Sequence, residues 1–241
     1  MKWAVAGLLF AATLLNYLDR LTLSVLSRDV RREFGLSEMD YSHVTTLFLA
    51  AYALMYAGSG PLLDRLGVKK GFLLFVGAWS VAQISHAWAV GKWSLGASRF
   101  ALGLAEPGNW PASAKAVAEW FPVERRAFGI GIMNAGSSLG SALAPPLVAF
   151  LGLRYGWRAA FLATGCAGLL WLLLWWRIYY TPAHVYGERA QAGKRRSMRE
   201  IFGTRACWTL CLARFFTDPV IYFVIFWLPE YLGKERGFSL E

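Results

Sequence analysis

Charge is scarce in this chain, and acidic charge is scarcer still. Asp, Glu, Lys and Arg make up 17% of the 241 residues, where soluble domains carry about a quarter. Fifteen acids stand against 25 bases, for a net charge of +10. Cysteine and histidine number three each. Cys166, Cys207 and Cys211 lie inside apolar runs with no histidine at zinc-like spacing. Neither a metal centre nor a disulfide framework follows, and free, buried thiols are expected. There is no HExxH segment and no nucleotide-binding glycine loop, so two common enzyme classes lack their chemistry. No stretch alternates apolar and polar residues as a half-buried strand would. No cofactor or metal is expected.

What the chain has instead is hydrophobic length. Apolar residues reach 56%, with 12 Trp and 16 Phe, a composition suited to contact with lipid and headgroups. A helix crosses a bilayer in about 20 mostly apolar residues. Seven such runs lie near 3–27, 42–63, 71–91, 94–118, 127–152, 157–178 and 207–232. The first is read as a span rather than a cleaved leader, because Asn16-Tyr17-Leu18-Asp19-Arg20 follows where small residues would mark a cleavage site. The fold class expected is an all-α polytopic membrane protein. Its parts are a six-helix bundle over 1–178, a basic connector over 179–206 and a further span in 207–241. Within the connector, Met198, Ile201 and Phe202 are spaced for a short amphipathic surface helix, and a plain basic linker fits equally. Six helices, a connector and one more helix resemble the first half of a longer protein and the start of its second.

Orientation follows from the basic residues of alternate links. Lys2, then Arg65, Lys69 and Lys70, then Lys115, Arg125 and Arg126, then Arg177 and the connector form one set. Arg28, Arg31, Arg32, Lys92, Arg154 and Arg158 form the other, with fewer than half as many. The richer set is expected in the cytoplasm, with the N-terminus.

Some charges fall inside the spans. Asp19 and Arg20 lie in the first, Arg99 and Glu106 in the fourth, Arg214 and Asp218 in the seventh. Each costs about 2.5–3.5 kcal/mol at mid-bilayer on insertion scales. Two acids and two arginines in spans 1 and 4 therefore imply a wet cavity or mutual pairing, for transport or as structural ion pairs. Arg99 and Glu106 are seven apart and share a helix face, with Gly103 between them leaving room. Arg214 and Asp218 are placed to pair within their own helix. Pro107, Gly108 and Pro111 predict a kink after Glu106. Gly136 and Gly140 form a close-packing GxxxG motif, beside Asn134 and Ser137, which offer hydrogen bonds to a ligand. The same stretch spells Gly-x-Ser-x-Gly around Ser138, the pattern of a serine nucleophile. Only His86 among the histidines (His43, His86, His184) lies clearly in a span to serve it.

The link after span 2 reads Gly60-Pro-Leu-Leu-Asp64-Arg65-Leu-Gly67-Val-Lys69-Lys70. It resembles the loop 2–3 motif of the major facilitator superfamily. With NYLDR (16–20), RFALGLAEPGNWPA (99–112) and RFFTDPVIYFVIFWLPEYL (214–232), the chain is similar to the anion:cation symporter branch, which includes hexuronate and galactonate transporters and sialin. The resemblance implies an N-terminal six-helix bundle of inverted 3+3 design plus the first helix of a C-terminal bundle. It implies proton-coupled symport of a sugar-acid anion such as glucuronate or galacturonate; galactonate, glucarate or an aromatic acid is the alternative. Asp19 and Glu106 match proton-coupling carboxylates, and Arg20 and Arg99 match arginines that hold the substrate carboxylate or tune its acidic partner. Tyr17, Tyr52, Asn134 and Ser137 fall where relatives line the cavity. Gly60, Asp64, Arg65, Gly67, Lys69 and Lys70 match the gating motif. A glutamine that some galactonate-type members carry in the fifth span is Ser137 here. The partners implied are the organic anion, protons, the bilayer and a C-terminal half; nucleic acid is not among them.

Overall fold

The structure, a computed structural model, describes residues 1–183, 185, 200 and 202–236. Among these every regular element is helical. The elements are α1 (Lys2–Val25), α2 (Ser27–Phe34), α3 (Glu38–Ser85), α4 (Lys92–Ala105), α5 (Asn109–Trp120), α6 (Val123–Tyr155), α7 (Trp157–Ile178) and α8 (Arg205–Glu235). They form two compact units, Met1–Thr181 and Pro182–Glu241. The proposed surface helix near Ser197 and most connector bases lie outside the described residues.

Among the described residues five helical stretches are long and apolar enough to cross a membrane: Lys2–Val25, Glu38–Trp88, Val123–Tyr155, Trp157–Ile178 and Arg205–Leu228. The count differs from the seven runs for two reasons. The second and third runs are joined in α3, where only Gly67 leaves helical geometry, at φ 76° and ψ 167°. A side chain rarely adopts that φ, so glycine is needed there. The expected loop is thus almost wholly helical, and Gly60 and Pro61 lie inside a helix. The fourth run is broken: α4 stops at Ala105, a 3-10 turn covers Glu106–Gly108, and α5 resumes at Asn109. Pro107 has no N–H to continue the ladder.

In the first unit α1 packs on α6 and α7, while α3 packs on α4 and α7. The α1–α6 contact depends on the GxxxG glycines. A Cβ on Gly140 would stand 2.6 Å from the Leu14 carbonyl oxygen, and one on Gly136 would collide with that of Phe10. Several large apolar side chains remain exposed, among them Leu54, Phe150, Leu170 and Leu173. The cysteines are free, but Cys166 and Cys211 are exposed rather than buried. A lipid-facing helix surface is apolar too, so hydrophobic surroundings in sequence do not imply burial in protein.

Short elements close the ends of the bundle. Ser37 caps α3 in a capping box with Asp40. The amphipathic α2, not foreseen from sequence, is tied to the start of α7. Arg158 pairs with Glu33 at 2.6 Å, the Trp157 indole N–H donates to Glu33, and Arg158 also donates to the Ala87 and Ala89 carbonyls. The Trp157 hydrogen bond first, and then that of Arg158, holds the Glu33 carboxyl below its usual range.

Candidate functional site

The polar side chains that interrupt α1 all point inward. Asn16, Asp19 and Arg20 are buried. On the fourth span Arg99 is also buried, and the 3-10 turn presents Glu106 to the interior with no exposed surface. There Glu106 meets an arginine of α1. Arg20 Nη2 lies 2.7 Å from Glu106 Oε2 and Arg20 Nε donates to the same oxygen at 2.9 Å. The ion pair therefore joins α1 to the helix break. Arg99 lies within electrostatic range of the same carboxylate. Gly103 does not leave room for a cavity, since a Cβ there would run into the Phe48 backbone and Ala51 of α3.

Arg20 sits in an aromatic setting. Its guanidinium carbon is 4.8 Å from the Tyr52 ring centre, 5.1 Å from Tyr17 and 5.9 Å from Phe48. Such faces attract a desolvated cation by about 2 kcal/mol. Asn16 Oδ1 accepts a long contact from Arg20 Nη2 at 3.3 Å. Arg99 is less satisfied. Its Nη1 donates to the Arg20 carbonyl at 3.5 Å, while Nε and Nη2 have no hydrogen-bond partner. Glu106 Oε1 is also unpartnered. Asp19 is fully buried, and neither carboxylate oxygen meets a donor in good geometry. The Thr164 hydroxyl of α7 lies beside it, with Arg99 and Glu106 in electrostatic range.

Two acids and two arginines thus share one interior, with one tight ion pair and several unpaired polar atoms. Buried polar atoms almost always find partners. A small anion with several oxygens would supply acceptors for Arg99 and compete with Glu106 for Arg20.

The other sequence-derived residues are placed as follows. Tyr52 is buried and Tyr17 half-buried, both against Arg20. Asn134 is exposed on α6 and Ser137 half-buried, its hydroxyl donating to the Asn134 carbonyl at 2.7 Å. Tyr17 borders Gly140, one turn from Ser137. Away from this interior, Asp64 pairs with Lys115 of α5, and the Lys69 carbonyl accepts from the Trp175 indole at 3.2 Å. Arg65 and Lys70 are exposed. The serine-nucleophile arrangement is not formed. Ser138 is exposed on α6, whereas His86 is buried, stacks on Phe161 at 4.8 Å and contacts the Ala82 carbonyl through Nδ1. In the second unit Arg214 and Asp218 pair along α8 at 3.2 Å, as their spacing predicted.

Some polar residues of this interior carried no sequence signal. Gln83 Nε2 donates to Thr164 Oγ1 at 2.9 Å. Asn109 reaches Thr13 at 3.3 Å. Single polar residues in apolar spans match no motif, and only the fold brings them to the charges.

Known proteins resemble this chain along its whole length. The profile of the Major Facilitator Superfamily matches residues 9–241. A galacturonate transporter of Dickeya chrysanthemi is 33% identical over 100% of this chain and 74% of its own length. A hexuronate transporter of Escherichia coli K12 is 32% identical over 100% of this chain, which spans only 60% of that relative. A probable L-galactonate transporter of the same organism is 30% identical, with 97% and 55% covered. Among solved structures, a bacterial homologue of the human lysosomal transporter Spinster, inward-facing and unoccupied, superposes with a TM-score of 0.79 at 22% identity. The match covers 99% of this chain and 57% of that one.

Proposed function

This chain belongs to the Major Facilitator Superfamily, a multi-pass membrane family of transporters rather than enzymes, and on that premise we propose that it serves proton-coupled symport of a sugar-acid anion. The substrate is a hexuronate such as galacturonate or glucuronate, and the membrane is the bacterial inner membrane, with the N-terminus cytoplasmic. The observation that carries this reading is the buried Arg20–Glu106 pair beside an arginine with unpaired donors. Relatives named galacturonate and hexuronate transporters support the substrate class.

The mechanism is competition for an arginine. In the empty state Glu106 is ionised and neutralised by Arg20. An incoming carboxylate takes Arg20 and Arg99 through charge-assisted, bidentate hydrogen bonds. Glu106 then faces a low-dielectric site without its cation, and protonation becomes favourable. The proton enters from the substrate's side and stays on the carboxyl, so the charge brought in by the anion is offset. With the site neutral, the two halves of the transporter rock and open the opposite face. Asp19 carries a second proton. Tyr17 and Tyr52 hold the arginine and the sugar ring, while Asn134 and Ser137 bond sugar hydroxyls. The motif from Gly60 to Lys70 (Gly60, Asp64, Arg65, Gly67, Lys69, Lys70) acts at the gate against a C-terminal half, which supplies the other wall of the cavity.

The test is uptake of labelled galacturonate by the intact protein in proteoliposomes. Accumulation should follow an inward proton gradient and collapse without it; accumulation indifferent to the gradient rejects coupling. Glu106→Gln should retain exchange of galacturonate while losing accumulation. Relatives named for L-galactonate and for galactarate and D-glucarate favour a second reading, aldonate or aldarate transport. A thermal-shift comparison of galacturonate, galactonate and glucarate separates the two.

A further inference from the structure

Asp19 has a neutral polar neighbour besides the charges of the fourth span. Thr164 lies between Asp19 of α1 and Gln83 of α3, and all three are buried. Gln83 Nε2 donates to Thr164 Oγ1 at 2.9 Å, while Gln83 Oε1 has no partner. A hydroxyl owns one proton. When it accepts from Gln83, that proton is free to point at Asp19. The unused amide oxygen is a built-in alternative acceptor.

We propose that Thr164 and Gln83 are positioning residues that read the protonation state of Asp19 and pass it to the α3–α7 contact. This rests on the reading of Asp19 as a titrating carboxylate. With Asp19 ionised, Thr164 donates to the carboxylate and accepts from the Gln83 amide N–H. With Asp19 protonated, the carboxyl O–H donates to Thr164 Oγ1, and the threonine proton swings to Gln83. The amide then turns half a revolution to present Oε1. The added proton comes from the aqueous side and remains on Asp19; only hydrogen-bond directions reverse beyond it.

Tight surroundings force the two arrangements to differ at the helix contact. A Cβ on Gly165 would come within 3.0 Å of the Ser80 carbonyl oxygen and the Ile84 amide nitrogen, so α3 and α7 nearly touch beside the pair. His86 stacked on Phe161 closes the next turn. The other ionisable groups that act on Asp19 are Glu106 and Arg99 of the fourth span; Arg20 on α1, Tyr41 on α3 and His86 in the turn after α3 act in turn on Arg99.

The experiment compares Thr164→Val, Thr164→Ser and Gln83→Leu in the intact protein. Valine keeps the shape and removes the hydroxyl, so ionised Asp19 loses its donor. The pH midpoint of galacturonate-coupled uptake should rise by about one unit in Thr164→Val and stay at the wild-type value in Thr164→Ser. Gln83→Leu should move it the same way by less. An unmoved profile in Thr164→Val overturns the proposal. So does a serine variant that behaves like valine, since packing alone would explain that. Infrared titration of the buried carboxyl band, assigned by its loss in Asp19→Asn, needs no transport. A protein that fails to take up galacturonate but whose band shifts in Thr164→Val loses the substrate reading and keeps this one; an unshifted band overturns it. If Thr164→Val does not fold, Gln83→Leu decides alone, and an unchanged profile and band reject the pair.

Discussion

Two arginine–acid pairs of the same chemistry occur in different settings. Arg20 and Glu106 are 86 residues apart in sequence, and their side chains are 2% and 0% exposed. Arg214 and Asp218 are one helical turn apart and 71% and 38% exposed. The second pair needs only a helix to form and a helix to persist. The first needs α1 and a broken fourth span to be in place, and its two charges have no solvent to return to. Removing one partner of a buried pair leaves an uncompensated charge and costs about 3–5 kcal/mol. An i,i+4 pair contributes about 0.3–0.5 kcal/mol. The lesson is that an intramembrane ion pair bears on function when its partners are distant and enclosed, since only then can a ligand change the balance.

The strongest way to break this contrast is Arg20→Ala. It should abolish galacturonate uptake and lower stability by about 3–5 kcal/mol, read as thermal denaturation in detergent. Arg20→Met combined with Glu106→Leu should recover most of that stability while remaining inactive. A double variant as unstable as the single one would mean that the pair holds the fold together rather than merely sitting within it. Next in size, Gly136→Leu should cost about 1–3 kcal/mol by overpacking the α1–α6 contact, and would misplace Arg20 without touching a charge. Reduced uptake at unchanged proton dependence is the expected signature.

Glu33–Arg158 separates range from burial, being distant in sequence yet about 40% exposed on each side chain. Its native carboxyl titrates below the usual range. The stability it gives is therefore present above the ordinary carboxylate value and lost as pH falls through the lowered native one. Solvent screening keeps it to about 1 kcal/mol or less. The melting temperatures of wild type and Glu33→Gln should differ at neutral pH and converge in acid. The smallest effect is that of Arg214→Ala, below that of Glu33→Gln in the same denaturation assay, because its partner lies one turn away on the same helix. A larger loss would show that the α8 pair is not merely local.

Much of the architecture was legible because bilayer spans announce themselves by length. The runs near 3–27, 127–152, 157–178 and 207–232 correspond to α1, α6, α7 and α8. The joint at Gly67 was legible as a turn but not as a single residue, because glycine, proline and charge also mark loops. The eight-residue α2 escaped notice because it is too short for an apolar run. At the site, the composition of the charged set was readable and its pairing was not. Spacing put Arg99 and Glu106 on one helix face, but only the fold shows that Glu106 pairs with Arg20 of α1. Thr164 and Gln83 were invisible for a different reason: their chemistry lies in a contact between α3 and α7, and neither residue is unusual alone.

The separation of Arg20 from Glu106 also has a meaning in time. A ribosome adds about 5–20 residues per second, so Glu106 emerges about 4–17 s after its partner. Throughout that interval α1 must enter the bilayer with Asp19 and Arg20 unneutralised, each at an insertion cost of about 2.5–3.5 kcal/mol. Of these helices α1 is thus made early and settled late. Its biosynthesis calls for a waiting place at the translocon or an insertase until the fourth span arrives.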